Sequence, residues 1–377
     1  MRITMVLYRY FPYGGLQRDF LRIAKALSER GHTIEVLTLS WQGDVPDFLN
    51  VNIINVLALA NYRRYARFAN KVAQKIQHEK YDAVVGFNKM VGLDFYYAAD
   101  PCFAASVAQQ RYVNIYRYVP RYRYFYAVEN AVFSPDSATQ IFLIAPQEKN
   151  KFVHYYCTPT QRFHLLPPGI QKDRLRPQEA EKIRENKRQQ LGIAPDKLVV
   201  LMIGSGFKTK GVDRALYALA SLPELLKQKV QLFLIGQDRP KKFLRLAKKL
   251  AMEEQFVVFN GRDDVPEFLL AADLLIHPAY RENTGTVLLE ALCAGLPVLA
   301  TDVCGYAHYI EKADAGYVVP SPFSQEVLNG ALLQMLTNET ARQQWSNNGV
   351  MFSQNNDLYS LPQHAAEIIE KGMRESQ

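Results

Sequence analysis

Apolar residues along this chain occur in short runs that alternate with stretches of helical periodicity. Ile3–Leu7 is the first run, and after a glycine turn at Gly14-Gly15 apolar side chains recur every three or four positions as far as Gly31. A short apolar run followed by an amphipathic stretch is typical of a buried strand and its following helix. The same pattern predicts strands at Thr33–Leu39, Ala83–Gly86 and Gln140–Ile144, and a helix around Tyr65–Ile76.

The alternation restarts near residue 198. Strands are predicted at Leu198–Ile203, Val230–Ile235, Val257–Phe259, Leu274–His277 and Val298–Ala300. Repeated strand–helix units build parallel sheets that are covered on both faces. The pattern therefore predicts an α/β chain with two doubly wound domains that face each other across a cleft.

The boundary between the two halves is marked by Leu166-Pro167-Pro168-Gly169, which ends a strand and cannot continue a helix. We expect a first domain at 1–167 and a second at 168–359. After Pro362 the pattern predicts a separate amphipathic helix within 360–377, for which crossing back to the first domain is one option. The length of 377 residues agrees with two domains.

Composition and charge limit the classes of protein to which the chain can belong. With 48% hydrophobic and 22% charged residues the chain is not disordered, and no run approaches the ~18 uncharged apolar residues of a bilayer span. The four cysteines are scattered, so we expect neither disulfides nor a cysteine metal site and place the protein in a reducing, intracellular compartment. Arg2 and Arg9 lie within the first apolar stretch, so we expect no signal peptide. The net charge of +8 favours an anionic partner: nucleic acid, acidic lipid or a phosphorylated substrate.

Two glutamates stand eight positions apart in the second half. Glu282 precedes a turn, and Glu290 lies inside the helix that follows. The N–H groups of the turn would lie at the positive end of that helix, where a diphosphate is favoured, and both carboxylates can accept hydrogen bonds from sugar hydroxyls. Two glutamates without a shared task are the alternative. The turn consists of Asn283, Thr284, Gly285 and Thr286.

Together with Gly295-Leu-Pro-Val298, this stretch resembles the retaining glycosyltransferases of family 4. The resemblance implies the GT-B fold, which has two Rossmann-like domains, and it implies that both glutamates and the turn between them bind a nucleotide sugar. Residues 204–211 match the family's phosphate-binding loop. There Lys208 and Lys210 would face the diphosphate, and Lys210 would neutralise the charge that develops on it.

Two further basic residues are assigned through this resemblance. The family often has an arginine early in the phosphate loop, where this chain has Ser205, so Arg174 after the hinge is the substitute candidate. Arg262 matches the family's base-binding loop, and an ordinary surface arginine is the alternative. Spacing excludes a dinucleotide fingerprint in this loop, and Val212 stands where a Walker motif requires lysine.

The first half contributes candidates at the ends of its predicted strands. The resemblance implies that Gly14, Gly15 and Asp19 contact the nucleotide sugar and that Asp19, in the first helical turn, belongs to the catalytic group. Helix capping is the alternative role for Asp19. Asp100 is the candidate for orienting or deprotonating the acceptor hydroxyl, and capping of a turn before Pro101 is its alternative.

Longer matches narrow the resemblance to one branch of the family, the lipopolysaccharide core glucosyltransferases of Gram-negative bacteria. The matches include Tyr10–Asp19, Val85–Met90, Lys210–Arg214, Cys304–Tyr309 and Asp357–Pro362. They imply transfer of glucose from UDP-glucose to the first heptose of a lipid-linked acceptor, with an α-1,3 linkage, at the cytoplasmic face of the inner membrane. The chain has no Asp-x-Asp motif, and we expect neither a metal ion nor another cofactor.

A segment at about 103–132 combines arginine with aromatic residues, and no acidic residue lies between Asp100 and Glu129. Guanidinium groups suit lipid phosphates and tyrosine suits the headgroup boundary, so the segment predicts peripheral attachment to an anionic membrane, with ~1 kcal/mol from each cation. Single-stranded nucleic acid stacked on the tyrosines and an ordinary amphipathic helix pair are the alternatives, and we expect no nucleic-acid partner. The candidate contacts are Arg111, Tyr116, Arg117, Arg121, Tyr122, Arg123 and Phe125.

Two other functions are weighed against the transferase. Sugar-nucleotide epimerases also pair two Rossmann-like domains, but they lack the motif from Glu282 to Glu290. A basic protein that binds a membrane or nucleic acid and carries a vestigial cleft is the second, although Lys210 and both glutamates argue against it. His277 and His308 are expected to be structural residues.

Overall fold

The structure, a computed structural model, describes residues 1–12, 14–108, 115 and 118–375. It contains two compact units, Met1–Gly169 with Ser360–Gln377, and Ile170–Tyr359. The chain enters the second unit two residues after position 168, where the second domain is predicted to begin. It returns to the first unit at Ser360.

The first unit contains, within the described residues, a seven-stranded sheet in the order β3-β2-β1-β4-β5-β6-β7. All neighbouring strands are parallel. The strand order reverses between β1 and β4, and the carboxyl ends of strands at such a point are where α/β sheets bind ligands. The strands are β1 (Arg2–Leu7), β2 (Thr33–Thr38), β3 (Leu49–Ile53), β4 (Ala83–Gly86), β5 (Phe95–Ala98), β6 (Gln140–Leu143) and β7 (Phe163–Leu165).

Helices cover both faces of this sheet. The helices before residue 170 are α1 (Gly15–Glu29), α2 (Asn61–His78), α3 (Phe103–Ala108), α4 (Pro120–Phe133) and α5 (Pro146–Tyr156), with a 3-10 turn at Thr160–Arg162. On one face, Phe20, Ile23 and Leu27 of α1 are fully buried, as the helical spacing of the sequence predicts. On the other face, Phe68 and Val72 of α2 pack into a second cluster.

The second unit has, among the described residues, a six-stranded sheet in the order β10-β9-β8-β11-β12-β13. Its neighbouring strands are also parallel, and the order reverses between β8 and β11. The strands are β8 (Leu198–Ile203), β9 (Val230–Ile235), β10 (Phe256–Phe259), β11 (Leu274–His277), β12 (Val298–Thr301) and β13 (Gly316–Val319). Both units therefore have the doubly wound, Rossmann-like architecture that the sequence predicts.

Helices likewise cover the second sheet, and a 3-10 turn lies at Lys172–Arg174. They are α6 (Ala180–Gln190), α7 (Phe207–Lys210), α8 (Val212–Ala220), α9 (Glu224–Lys227), α10 (Lys241–Lys249), α11 (Val265–Ala271), α12 (Thr286–Ala294), α13 (Ala307–Ala313), α14 (Gln325–Thr337) and α15 (Glu339–Asn355). The last helix, α16 (Leu361–Glu375), packs against α1 of the first unit through buried residues that include Ala365 and Ile369. None of the helices in the described ranges is both long and apolar enough to cross a bilayer.

Candidate active site

The loop after β8 and the segment after β11 lie against each other at the carboxyl edge of the second sheet. Gly211 has a φ of +78°, and a Cβ atom added there would lie 2.1 Å from the Pro278 carbonyl oxygen. The Tyr280 N–H donates to the Thr209 carbonyl at 2.8 Å. Because only glycine permits this approach, residue 211 brings the predicted phosphate loop directly onto the segment that carries Glu282.

Lys210 and Glu282 form an ion pair across these two segments. Their side chains are 20% and 13% exposed, so the pair is largely withdrawn from solvent. The alkyl chain of Lys210 lies over Gly204, where a Cβ atom would stand 3.4 Å from Cε. The structure thus joins two residues that the sequence predicts for the same site, although they are far apart along the chain.

His277, the last residue of β11, is a third member of this group. Its side chain is 1% exposed, and its Nε2 lies 3.2 Å from the Glu282 Oε2. A carboxylate can only accept, so Nε2–H is the donor of this hydrogen bond. Nδ1 is buried and has no hydrogen-bond partner among the described residues. The sequence prediction that His277 is merely structural missed this contact.

Glu282 is held as an anion. Burial raises the pKa of its carboxyl, but the hydrogen bond from His277 and the positive charge of Lys210 outweigh burial and lower the pKa to about 2. A buried carboxylate with such partners keeps its charge throughout the neutral range. It is suited to accepting hydrogen bonds from hydroxyl groups and to facing a positively charged centre.

The turn after Glu282 leads into the N-terminus of α12. Gly285 has a φ of +79° and occupies the N-cap position, and within the described residues no side chain caps the helix. The Tyr306 N–H fixes the turn by donating to the Thr284 carbonyl at 2.7 Å. The first N–H groups of α12, beginning at Thr286, are therefore placed to bind an anion, as predicted from the sequence.

Glu290 lies in α12 and faces Arg174. The Arg174 Nε stands 3.8 Å from Glu290 Oε1, and both side chains are less than 10% exposed. The Nε and Nη1 of Arg174 are buried and donate to none of the described residues. Nη1 also lies 3.7 Å from the Asp173 Oδ2, beyond hydrogen-bond distance. Buried donors without a hydrogen-bond acceptor are costly, so this guanidinium has donors to offer to an anion, and its role as the second phosphate contact stays a prediction.

Arg262 is bound within its own loop. Its guanidinium forms a two-pronged ion pair with Asp264 and lies 4.5 Å from the Phe268 ring centroid. The bond from Arg262, with a smaller contribution from Lys187, outweighs burial and lowers the pKa of Asp264 to about 2. No bond within the described residues connects Arg262 to the Lys210–Glu282 pair, and its base-binding role stays a prediction. Lys208 is exposed.

The first unit places Asp19 differently from the sequence expectation. The N-cap of α1 is Gly14, so Asp19 is the fifth helical residue and lies beyond the first turn. Its Oδ2 accepts a hydrogen bond of 2.7 Å from the Tyr97 hydroxyl, and Arg22 lies 3.4 Å from Oδ1. Asp19 therefore does not cap the helix. No local pattern predicts its contact with Tyr97, because the two residues meet only in the folded unit.

The two glycines before α1 differ in their surroundings. A Cβ atom at Gly14 would lie 1.9 Å from the Gln17 Oε1, whereas a Cβ atom at Gly15 would meet nothing within 4 Å. Asp100 is exposed, two residues after β5, and makes no hydrogen bond to a described residue. It therefore does not cap the turn before Pro101, and its predicted role toward the acceptor is untested.

The basic aromatic segment is described only in part. Arg111, Tyr116 and Arg117 lie outside the described residues. The remaining candidates lie on α4, which begins at Pro120. Arg121 and Arg123 are exposed, while the rings of Tyr122 and Phe125 pack on Phe103 of α3 at 5.4 and 5.7 Å.

Glu129, at the end of this segment, fixes α4 to its neighbours. Its fully buried carboxylate pairs with Lys89 and accepts from the Tyr156 hydroxyl at 2.6 Å. It also accepts from the N–H groups of Phe103 and Ala104 at 2.9 and 3.0 Å, at the N-terminus of α3. These four donors come from three elements, α3, α5 and the loop after β4, a convergence that the local sequence does not reveal.

His308 contacts the carbonyl of Gly305 at 2.8 Å, and its structural role stays a prediction. Across the described parts of the chain, no three His, Cys, Asp or Glu side chains gather as a metal site would require.

Two family models match the chain. Glycosyltransferase Family 4 matches residues 13–174, and Glycosyl transferases group 1 matches residues 183–350. With the two Rossmann-like units, these matches define the class, and the chain belongs to the GT-B glycosyltransferases. The predicted fold class is thereby confirmed.

At the level of single proteins, the chain is 46% identical over 373 residues to the lipopolysaccharide glucosyltransferase WaaG of Escherichia coli (strain K12), covering 99% of this chain and 100% of that one. The crystal structure of WaaG, a glycosyltransferase involved in lipopolysaccharide biosynthesis, superposes with a TM-score of 0.94 over 97% of this chain and 99% of that chain. Anabaena Alr3699/HepE in complex with UDP-glucose shares the fold at 19% identity, with a TM-score of 0.76 over 98% of this chain and all of that one.

Proposed function

We propose that this protein transfers glucose from UDP-glucose to the first heptose of the lipopolysaccharide inner core, with retention and an α-1,3 linkage. The observation that carries the proposal is the buried ion pair of Lys210 and Glu282 beside the uncapped N-terminus of α12. The identity of 46% with a lipopolysaccharide glucosyltransferase supports the acceptor class.

In this proposal the donor diphosphate lies between the phosphate loop and α12. Lys210, Arg174 and the first N–H groups of α12 supply positive charge where negative charge grows as the glycosidic bond to phosphate breaks. Glu290 accepts hydrogen bonds from ribose hydroxyls, and Arg262 lies beside the base. Neither a metal ion nor another cofactor is required, because these groups provide the compensating charge.

Glu282 binds the transferred sugar and faces its anomeric carbon. A carboxylate with a pKa of about 2 is a weak base, so its contribution is electrostatic: it stabilises the positive charge that develops on the sugar as the diphosphate leaves. The departing diphosphate takes up the acceptor proton on the same face, which gives retention. Asp100 orients or deprotonates the heptose hydroxyl, and Asp19 belongs to the catalytic group that contacts the nucleotide sugar.

We further propose that the protein works at the cytoplasmic face of the inner membrane, which it contacts through the basic aromatic segment. Arg121 and Arg123 are exposed on α4 and point to an anionic partner. A lipid-linked acceptor requires the enzyme to act at a membrane surface. This surface contributes to the net charge of +8, and the proposal includes no nucleic-acid partner.

Calorimetric titration tests the donor. UDP-glucose, UDP-galactose, UDP-N-acetylglucosamine and ADP-glucose are titrated in the presence of a chelator, and selective binding of UDP-glucose is expected. Failure of all four to bind would refute the proposal, and preference for another sugar would correct the donor.

Substitution of Glu282 tests the chemistry. Glu282→Gln keeps the size of the side chain and removes its charge, so we expect at least a ~100-fold loss of kcat, comparable to the loss of one electrostatic group in other enzymes. Glu254→Gln, at an exposed glutamate of the same unit, is the matched control. Unchanged turnover in Glu282→Gln would exclude the assigned role. Release of free UDP without a new glycosidic bond would favour an epimerase.

A further inference from the structure

A short apolar loop between β3 and α2 exposes two leucines almost completely. Residues 54–60, here called the leucine loop, contain no charged side chain. Leu57 is 88% exposed and Leu59 108%, whereas Ile54 is buried in the core of the first unit. Exposed leucines that stand so far out of a folded surface are not covered by the protein itself.

The leucine loop is held in place by cations of the neighbouring helix. The Arg67 guanidinium donates to the Leu57 carbonyl, and the Lys71 Nζ donates to the Asn55 carbonyl at 2.9 Å. These hydrogen bonds go to backbone carbonyls, so they fix the loop while the leucine side chains stay exposed. The two leucines are therefore exposed on a loop whose backbone is fixed by hydrogen bonds.

The helix that follows the leucine loop is basic. Helix α2 carries no acidic residue. Its Lys75 pairs with Glu35 and Glu79, and the cations of α2 without an ion pair among the described residues are Arg63, Arg64, Arg67 and Lys71. Such a combination of cations and apolar side chains is typical of proteins that rest in the interface of an anionic bilayer, where cations meet lipid phosphates and apolar groups enter the acyl region. Two leucines are too small an area for a specific protein interface, which buries about 1,200 Å² or more.

Helix α2, which follows the leucine loop, packs against α4. The rings of Tyr62 and Tyr124 lie 6.4 Å apart, and Tyr8 links the two helices by stacking on Tyr65 at 4.0 Å and placing its hydroxyl 3.4 Å from that of Tyr124. The leucine loop and the arginines of α4 thus belong to one packed group of elements within the first unit.

From these contacts we infer that the leucine loop is a second membrane-contacting element, which inserts Leu57 and Leu59 into the acyl boundary of an anionic leaflet beside the arginines of α4. The inference rests on the proposed membrane association and adds an apolar anchor to it. Arginines alone give attachment that salt removes, whereas inserted leucines give a component that persists when charges are screened.

The first experiment measures co-sedimentation with vesicles of phosphatidylglycerol and phosphatidylcholine. Leu57→Ser/Leu59→Ser is expected to lower the partition coefficient about tenfold or more, because two apolar side chains no longer leave water. The difference should persist at high salt. Leu225→Ser/Met351→Ser, at residues of the second unit that are 81% and 60% exposed, is the matched control and should bind like the wild type.

The second experiment reports insertion directly. Leu59→Trp is mixed with vesicles that contain brominated phosphatidylcholine. Trp41 and Trp345 also fluoresce, so the signal is the additional fluorescence of the new tryptophan, which is expected to be quenched. The same substitution at Leu225 should show no additional quenching. If the wild type binds vesicles, the leucine variant partitions equally well and Leu59→Trp is not quenched, the insertion of the leucines is refuted. The proposed membrane association would then still stand. Absence of wild-type vesicle binding would overturn both.

Discussion

At Glu282, burial and two positively polarised neighbours act on the same carboxylate in opposite directions. Burial alone would favour the neutral acid, whereas the donor from His277 and the charge of Lys210 favour the anion and prevail. Among the described residues Nδ1 of His277 has no hydrogen-bond partner, so within that part of the chain the imidazole makes its side-chain contact to Glu282 alone. The group is thus arranged to keep a negative charge in a largely dry place.

This arrangement predicts a specific pH dependence of stability. The pKa of Glu282 lies near 2 in the folded protein and at its ordinary 4.5 in the unfolded chain, so the ionised carboxylate stabilises the fold above pH 4.5. That stabilisation is lost as the pH falls toward 2. The difference in unfolding free energy between wild type and Glu282→Gln should therefore shrink by about 2 kcal/mol between pH 6 and pH 3.

Urea unfolding of both proteins at half-unit pH steps measures this difference. Glu254→Gln, at an exposed position, serves as the control and should differ from wild type by the same amount at every pH. A difference for Glu282→Gln that stayed constant over this range would show that the carboxylate has an ordinary pKa.

At the scale of elements, α4 depends on one buried ion pair. The Glu129 side chain is 0% and the Lys89 side chain 10% exposed, and Glu129 also accepts from the N-terminus of α3. Removing one member of a buried pair leaves the other charge without compensation. We therefore predict that Glu129→Gln lowers the free energy of unfolding by about 3 kcal/mol.

A double-mutant cycle separates the pair from its surroundings. Lys89→Met combined with Glu129→Gln removes both charges, so the double variant should be less destabilised than the sum of the single variants. Chemical unfolding of all four proteins provides the measurement. Additive losses would mean that Glu129 acts through its bonds to α3 and Tyr156 and not through Lys89.

Strands with a strong apolar pattern could be predicted from the sequence, and strands with a weak or interrupted pattern could not. The buried runs at β8, β9 and β11 match their predicted bounds. The strands β3, β7 and β13 lie at sheet edges or carry polar residues and glycine, so their apolar pattern is weak. β5 lies inside the sheet and is fully buried, but two of its four residues are tyrosines, whose hydroxyls interrupt the apolar run.

The residues of the candidate site that belong to a local sequence motif could be predicted from the sequence. Lys210, Glu282 and the turn before α12 follow from local motifs, and the fold then brings Lys210 onto Glu282. His277 and Tyr97 gain their contacts only through the folded chain. The Asp19 partner is 78 positions away in sequence, and no local pattern encodes such a meeting.

At the scale of the whole molecule, each of the two units carries its own cluster of positively charged side chains. The first unit carries the cations of α2 and α4. The second has a cavity of about 550 Å³ whose lining includes Arg239, Lys241, Lys242, Arg245 and Lys249. Because both surfaces attract anions, net charge alone does not decide which of them meets a membrane.

A pair of charge-matched variants decides between the two surfaces. Arg121→Ser/Arg123→Ser and Lys241→Ser/Arg245→Ser each remove two positive charges, so they alter the net charge equally. With ~1 kcal/mol from each cation near an anionic leaflet, the α4 variant should bind phosphatidylglycerol vesicles about 30-fold more weakly at low salt, while the variant in the second unit binds as the wild type does. Turnover of a soluble acceptor should be unchanged in both. Equal weakening of the two variants would mean that total charge, and not the surface on α4, attracts the protein to the membrane.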